Sequence, residues 1–330
     1  MSSQPQPLRL WICSHPRTCS NLLFRHFEGT ENLEFKRYAF LDAFYSGPER
    51  QTAKPIETCS ILDKEVRMRE GKTFQDAVDE YAKWIEEVEG KRRIPTLKDH
   101  GFVVIPSETV NQNISEWEAS RRQTSPRPKM SSESSSNMPN PTLWPYSLLS
   151  TFTVVITIRH PARTLASYAE INARLGVSTI QDEDLAMIGS MKWQRMIFDA
   201  CSTQQQSDEP NGNKRSGLPP VIVDGDRLVS DSRGVMEKLY QHLGLDVGTI
   251  GYSWESIEDI EWPNERVKAG MEKVFSSTGV IPNADAVASV DLEEEKVKWT
   301  LKWGEECATR MMRLVQFTLE DYEYLLARSL

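Results

Sequence analysis

The feature that most constrains the fold is a run of apolar, mostly β-branched residues, FTVVITI, at residues 152–158. An unbroken apolar run of this length is typical of a strand buried on both faces, as in a parallel sheet. Further strands are predicted at residues 8–13, 94–97 and 221–223. Helical patterns between and after the strands predict helices over residues 20–27, 73–89, 162–175, 182–202, 232–243 and 292–330. This alternation predicts an α/β fold with a central parallel sheet flanked by helices.

Composition and charge narrow the class of protein. Hydrophobic residues make up 39% of the chain and charged residues 26%, which excludes wholesale disorder. With a formal net charge of −9, the chain lacks the excess of basic residues that is typical of proteins that bind nucleic acids or anionic membranes. No apolar run reaches the roughly 20 residues of a membrane helix, and the first residues do not have a signal-peptide pattern. We therefore expect a cytoplasmic protein.

Domain organisation follows from length and low-complexity segments. We expect a single α/β domain over residues 1–330. The Ser- and Pro-rich stretch at residues 120–141 predicts a disordered insertion, and residues 203–217 predict a flexible loop. The five cysteines are scattered, with neither a disulfide framework nor zinc-ligand spacing, so no metal site is expected from them.

The first candidate site follows the first strand, where a short turn leads into a helix. Such a turn aims backbone N–H groups and a helix N-terminus at one point, which suits a phosphate. Arg17 adds a positive charge, and the Walker sequence is absent, so nothing here predicts magnesium-dependent nucleotide hydrolysis. The alternative is a polar turn capped by Ser20. The residues of this candidate loop are Ser14, His15, Pro16, Arg17, Thr18, Cys19, Ser20 and Asn21.

The second candidate follows the apolar run at residues 152–158. Arg159 ends that strand, where a buried charge is costly unless it is paired or binds a ligand. Pro161 suits the first position of the next helix, and Arg163 and Ser167 share a face of that helix. The alternative is an arginine paired with a carboxylate in the core.

Two further candidates also stand at strand ends. Lys98 and His100 can both project into one crevice, where the histidine would take a proton and the lysine would offset negative charge. A solvated loop is the alternative for this pair. Asp224 and Asp226 could bind a metal or act as acid and base, but such residues more often cap the next helix or pair with arginines.

Together these segments resemble the P-loop-type sulfotransferases that use 3′-phosphoadenosine 5′-phosphosulfate (PAPS), in a divergent form with His-Pro-Arg in the first loop. The loop at residues 14–21 is similar to the loop that holds the 5′-phosphosulfate. Arg159 and Ser167 have the spacing of the family's 3′-phosphate pair, and Lys98-x-His100 matches its Lys-x-His motif. The segment after residue 221 is similar to the strand and helix that close the core. The order agrees over residues 8–245.

The resemblance implies transfer of a sulfuryl group from PAPS to a hydroxyl or amine of a small-molecule metabolite, with 3′-phosphoadenosine 5′-phosphate (PAP) as the product and no metal. His100 would be the general base, with His15 as its rival. Lys98 and Arg17 would neutralise the transferred group. The expected partners are a small-molecule acceptor and, as an open option, a second copy of the chain in a homodimer, with no nucleic acid or membrane. Candidate walls of the acceptor pocket, with plain core as the alternative, are Phe40, Phe44, Tyr45, Trp84 and Tyr168.

The sequence departs from the family in two places. Arg17 stands where many members have lysine, and a fork-shaped guanidinium differs from an ammonium in reach and geometry. The C-terminal Arg-Lys-Gly segment has only a poor match at residues 266–270. Two other functions therefore remain open. One is non-sulfonating chemistry on the same fold, by a lyase, cyclase or phosphotransferase acting on a phosphorylated or sulfated metabolite. The other is a non-catalytic nucleotide-binding protein.

Overall fold

One parallel sheet of five strands organises the molecule. The computed structural model describes residues 7–52, 71–120, 140–179, 182, 184–203, 217–258, 260–262, 265–283 and 286–330. Its strands are β1 (Leu10–Ser14), β2 (Leu33–Arg37), β3 (Ile94–His100), β4 (Thr153–Ile158) and β5 (Val221–Asp224). The sheet order is β2-β3-β1-β4-β5, and every neighbouring pair is parallel. The predicted α/β class with a central parallel sheet is confirmed.

Helices pack on the two faces of the sheet. In chain order they are α1 (Ser20–Phe27), α2 (Ala39–Ser46), α3 (Phe74–Gly90), α4 (Ser107–Ser120), α5 (Tyr146–Leu149), α6 (Pro161–Arg174), α7 (Leu185–Gly189), α8 (Lys192–Thr203), α9 (Gly225–Ser230), α10 (Ser232–Leu243), α11 (Glu265–Phe275), α12 (Leu292–Trp303) and α13 (Glu305–Leu326). Short 3₁₀ turns lie at Gly101–Val104 and Val247–Thr249.

The alternation of side chains along the strands divides the core into two layers. Every residue of β4 is buried, as the apolar run predicts. Along β1, Trp11 and Cys13 face one cluster, which includes α2, α3, α8 and α13. Leu10 and Ile12 face the other cluster, which includes α1 and α10. The sheet is therefore covered on both faces, and its carboxyl edge is the place where polar groups gather.

Two predicted helix starts have the expected capping. The side chain of Thr73 accepts from the Asp76 amide at 3.0 Å, and the Asp76 carboxylate accepts from the Thr73 amide at 2.8 Å. With Thr73 as the N-cap residue of this capping box, the first residue of α3 is Phe74. Pro161 stands at the first position of α6, where the His160 ring accepts from the Ala162 amide.

The predicted secondary structure was wrong in several places. The strand β2 was not predicted, and neither were the helices α2, α4 and α11. The helix predicted over residues 182–202 is divided into α7 and α8, because the Met191 amide donates to Thr318 Oγ1 at 2.6 Å instead of continuing a helix. The helix predicted over residues 292–330 is divided at Gly304, whose φ of 86° is available mainly to glycine.

The two predicted insertions lie mostly outside the described residues, at 121–139 and 204–216. Within the described part of the chain, no helix is long and apolar enough to cross a membrane. Four of the five cysteines are described, and each is a free thiol: Cys13, Cys19, Cys201 and Cys307.

Candidate active site

The β1–α1 loop is a tight, buried turn at the carboxyl end of the central strand. Arg17 and Cys19 both have left-handed backbone conformations, with φ of 66° and 60°. Non-glycine residues adopt this region rarely, and such conformations cluster at ligand sites. Thr18 Oγ1 donates to the His15 carbonyl at 2.7 Å and lies 2.6 Å from Thr157 Oγ1. These contacts fasten the loop to β4.

The helix α1 begins directly after this loop, and no side chain among the described residues caps its N-terminus. Cys19 is the N-cap residue and makes no side-chain cap. The first amide of this helix to find a backbone acceptor is that of Leu23, which donates to the Cys19 carbonyl at 3.1 Å. The amides of Ser20 and Asn21 have no partner among the described residues. Unpaired N–H groups and the helix dipole are features that suit a helix end to binding an anion.

Lys98 is a fully buried cation beside this helix end. Its Nζ donates to Asn21 Oδ1 at 2.5 Å and lies 5.1 Å from the ring centroids of Phe24 and Tyr38. No carboxylate pairs with this ammonium in the described part of the chain. Burial, followed by the charge of Arg37, lowers the pKa of Lys98 well below its ordinary value. A desolvated charge with only a neutral amide partner indicates a place for an anionic ligand.

His100 lies at the end of β3 with its ring held on both sides. The ring stacks on Phe102 with a 12° interplanar angle, and Tyr38 lies 5.2 Å away on a tilted plane. Nδ1 lies 2.9 Å from Ser14 Oγ, and that hydroxyl donates to the Asp99 carbonyl. We assign the tautomer in which both contacts form: the hydroxyl proton goes to the Asp99 carbonyl, Nδ1–H of His100 donates to Ser14 Oγ, and Nε2 carries the lone pair. Burial, and then Lys98, lowers the pKa of His100 to about 3. The imidazole is therefore neutral, with a free basic nitrogen.

Arg17 spans the site from β1 to the C-terminal part of the chain. Its Nε donates to Ser167 Oγ of α6 at 2.9 Å, and its Nη1 donates to the Gly270 carbonyl of α11 at 2.8 Å. Burial lowers the pKa of Arg17. The structure thus brings Ser167 to Arg17, and it places the weakly matching segment 266–270 over the loop.

Arg159 is tied to a core carboxylate, as the alternative for this residue proposed. Its Nε donates to Asp226 Oδ1 at 2.8 Å, and Arg163 Nη1 lies 2.7 Å from Asp226 Oδ2. Both terminal nitrogens of Arg159 have no partner among the described residues and remain available for a ligand. Asp224 caps α9 by accepting from the amides of Asp226 and Arg227. Both aspartates therefore have the structural roles that the sequence favoured.

His15, the rival base, has a different environment. Only 2% of its surface is exposed, and Nδ1 lies 2.9 Å from the Pro16 carbonyl. Burial lowers its pKa to about 4. His15 is thus neutral, but it is more enclosed than the half-buried His100.

Two of the predicted pocket walls are plain core, because Phe40 and Phe44 are fully buried. Tyr168 is also buried, and its hydroxyl donates to Asp182. Tyr45 and Trp84 are half-buried and pack against the core.

Sequence reasoning missed two residues beside Lys98. Arg37 ends β2, and Tyr38 is the N-cap residue of α2. Tyr38 has a φ of 58° and contacts both Lys98 and His100. The available signal was the alternation of Leu33 and Phe35 with charged residues, which is typical of an edge strand.

The chain is an α/β protein whose parallel sheet brings an uncapped helix start, a neutral histidine and, among the described residues, cations without a carboxylate partner to one edge. In the described part of the chain no group of three or more His, Cys, Asp or Glu side chains could hold a metal ion. Two curated relatives carry a name that fits this class.

The sulfotransferase ppzF of Metarhizium majus is 24% identical over 341 residues, covering 98% of this chain and 97% of that protein. The sulfotransferase ppzF of Metarhizium rileyi is 26% identical over 343 residues, covering 100% of this chain and 98% of that protein. No family model matches the chain. The full-length similarity confirms that the chain is sulfotransferase-like.

Solved structures with similar chains carry the same description. The sulfotransferase from Alicyclobacillus acidocaldarius is 10% identical, with a TM-score of 0.38, and covers 96% of this chain and 99% of its own. The sulfotransferase domain of the Synechococcus PCC 7002 olefin synthase is 16% identical, with a TM-score of 0.39, and covers 91% of this chain and 97% of its own. The fold assignment rests on this chain's own sheet order and register.

Proposed function

We propose that this protein transfers a sulfuryl group from PAPS to a hydroxyl or amine of a small-molecule acceptor. The observation that carries the proposal is the neutral His100, whose Nε2 is free, beside the counter-ion-free Lys98 at the uncapped start of α1. Two full-length relatives named sulfotransferases support a transferase of this class. PAPS fits the residues present, because each of its anionic groups can meet an unpaired cation or amide.

His100 acts on the acceptor. Its Nε2 would accept the proton of the hydroxyl or amine as the new bond to sulfur forms, and Ser14 would hold the ring in the tautomer that this step requires. With the pKa lowered to about 3, the imidazole is unprotonated at neutral pH, which is the form that a general base requires.

Lys98, Arg17 and the start of α1 act on the donor. When bound, PAPS supplies the sulfuryl group and a phosphate leaving group. Lys98 and Arg17 would neutralise the negative charge on the oxygens of these groups, and the amides of Ser20 and Asn21 would donate hydrogen bonds to them. Fixed cations and dipoles in a buried site stabilise developing charge more strongly than they would in water.

Arg159 and Ser167 are proposed to hold the 3′-phosphate of the donor. Arg159 is fastened through Nε to Asp226, so its two free terminal nitrogens are already oriented. Arg159→Ala should weaken PAP more than it weakens adenosine 5′-phosphosulfate, which lacks the 3′-phosphate. The exposed Arg233→Ala, which also removes an arginine paired with a carboxylate, is the matched control. Equal losses for the two ligands would count against this assignment.

The reaction is tested by following PAP release from PAPS with a pool of phenolic and amine acceptors. His100→Ala should reduce turnover about a hundred- to ten-thousandfold and leave PAP affinity nearly unchanged. His15→Ala, measured in parallel, should retain turnover. If His15→Ala loses turnover and His100→Ala retains more than about a tenth, which is well short of the usual contribution of a general base, the base is His15. If the wild type releases no PAP with any acceptor although PAP binds, a nucleotide-binding protein without this reaction is the better account.

A further inference from the structure

Arg37 and Lys98 form a pair of cations at the carboxyl ends of two neighbouring strands. They are direct partners in the parallel register of β2 and β3. Arg37 Cζ lies 4.5 Å and Lys98 Nζ 5.1 Å from the centroid of the same Phe24 ring. The two side chains therefore project from the same face of the sheet toward α1.

No acidic side chain in the described residues neutralises this pair. Among the described residues, Lys98 has a hydrogen bond only to the Asn21 amide oxygen, and Arg37 has none. Glu28 is the acid that attracts Arg37 electrostatically, yet both of its carboxylate oxygens accept from Arg25, at 3.0 and 2.8 Å. Like charges on directly opposed strand positions are destabilising. Two such charges without a counter-ion indicate a site for an anionic group.

The sheet order places this pair on the acceptor side of the site. β3 and β2 lie on one side of β1, whereas β4, which ends before Arg159, lies on the other side. Tyr38 follows Arg37 directly, and its ring contacts His100 and Lys98. An anion held by Arg37 would thus lie beside the base, across β1 from the candidate 3′-phosphate site.

We propose that Arg37 binds an anionic group of the acceptor, so that the acceptor is a hydroxy or amino compound that also carries a carboxylate, phosphate or sulfate ester. Arg37 would hold that group by charge-assisted hydrogen bonds and present the hydroxyl or amine to Nε2 of His100. Lys98 lies between the two anions and is shared by them. This inference rests on the proposed sulfuryl transfer and adds the charge of the acceptor to it.

The test uses the full-length protein saturated with PAP, so that the donor site is filled. Calorimetric titrations with 4-hydroxybenzoate and with neutral 4-hydroxybenzamide measure what the negative charge contributes, and inorganic sulfate serves as a minimal anion. The variants are Arg37→Gln and Arg37→Lys. The control is Lys36→Gln, which removes the same charge from the same strand but on the opposite face, where Lys36 lies over Tyr81 and Trp84.

We expect the wild type and Lys36→Gln to bind 4-hydroxybenzoate at least about tenfold more tightly than 4-hydroxybenzamide, as hydrogen bonds to charged groups allow. In Arg37→Gln the two should bind equally, and Arg37→Lys should recover part of the difference. Thermal melts establish that each variant is folded.

Two results would overturn the inference while leaving the proposed function intact: PAP binds but the wild type does not prefer the benzoate, or the preference survives in Arg37→Gln. Sulfate binding that depends on Arg37 without a preference for the benzoate would indicate a site for a free anion and would also overturn it. If PAP itself fails to bind, the proposed function fails, and this inference fails with it.

Discussion

Lys98 and Asp99 are adjacent in sequence, but they do not neutralise each other. The Lys98 side chain extends toward α1, whereas the Asp99 carboxylate faces the other layer and accepts from the Tyr81 hydroxyl at 3.3 Å and, more weakly, from the Phe40 amide at 3.4 Å. Burial raises the pKa of Asp99 to about 8 and lowers that of Lys98. The strand alternation thus leaves the Lys98 side chain buried at the carboxyl edge of the sheet, with no carboxylate partner among the described residues.

Lys98→Met tests whether the buried ammonium group lowers the stability of the fold while it contributes to binding the donor. Methionine keeps the apolar stem and removes a buried charge that lacks a carboxylate partner, so the free energy of unfolding at neutral pH should stay the same or rise by about 1–3 kcal/mol. PAP affinity should fall at least about tenfold, as loss of a charge-assisted contact predicts. Urea unfolding and calorimetry measure the two effects. The control is Lys83→Met, at a lysine whose side chain is 80% exposed. It should change neither the free energy of unfolding nor the PAP affinity. A loss of stability above about 1 kcal/mol would mean that Lys98 has a structural role.

His100 gives a prediction on pH dependence. An ordinary histidine titrates near 6.5, but burial and Lys98 lower the pKa of His100 to about 3. Since a lowered pKa means that the ring takes up a proton only far into the acid range, it stays neutral as the pH falls from about 8 to 5. NMR of histidine-labelled free protein, with the signal assigned by its absence in His100→Ala, should show no titration in this range. A midpoint near 6.5 would contradict the burial and contacts described for this ring.

At the scale of elements, the sequence predicted what local patterning determines. The apolar run of β4, the capping box of Thr73 and the first-turn proline of α6 each depend on neighbours within a few residues. The start of α2 depends instead on a distant residue. Tyr38 adopts a left-handed conformation there, and the Phe40 amide donates to the Asp99 carboxylate of β3. The edge strand β2 has two charged residues at its end. These elements depend on partners far along the chain, and the short alternation of Leu33 and Phe35 with charged residues was the local signal for β2.

The close approach of α9 to the β1–α1 loop gives a prediction at this scale. A Cβ atom on Gly225 would lie 2.6 Å from the Thr18 carbonyl oxygen and 3.0 Å from its carbon, both of which are backbone atoms. Gly225→Ala should therefore displace the loop, lower the free energy of unfolding by about 1–3 kcal/mol and weaken PAP about tenfold, or roughly 1.4 kcal/mol.

The control for this substitution is Gly90→Ala at the end of α3, where an added Cβ meets nothing within 4 Å. Denaturant unfolding should show a change within about 0.5 kcal/mol for the control, and calorimetry should show normal PAP affinity. Normal PAP affinity in Gly225→Ala would mean that the shape of this loop is not required for donor binding.

At the scale of the whole molecule, the site is assembled from both ends of the chain. Arg17 donates a hydrogen bond to the Gly270 carbonyl, 253 positions away, and Arg159 donates one to Asp226, 67 positions away. The sequence placed the candidate residues at strand ends and so predicted that they share one edge of the sheet. It could not predict which cations are already paired. That distinction separates Arg159, which is paired with Asp226, from Lys98 and Arg37, which have no carboxylate partner in the part of the chain that the structure describes.

Calorimetric titration of the wild-type protein with PAP measures whether this edge of the sheet binds the PAPS nucleotide. We expect one saturable site that binds PAP more tightly than adenosine 5′-monophosphate, because the 3′-phosphate adds contacts with Arg159. The affinity should fall in Lys98→Met and in Arg159→Ala. A folded wild-type protein that shows no saturable binding of PAP up to about 1 mM, which corresponds to about −4 kcal/mol, or that binds both nucleotides equally, would contradict the account.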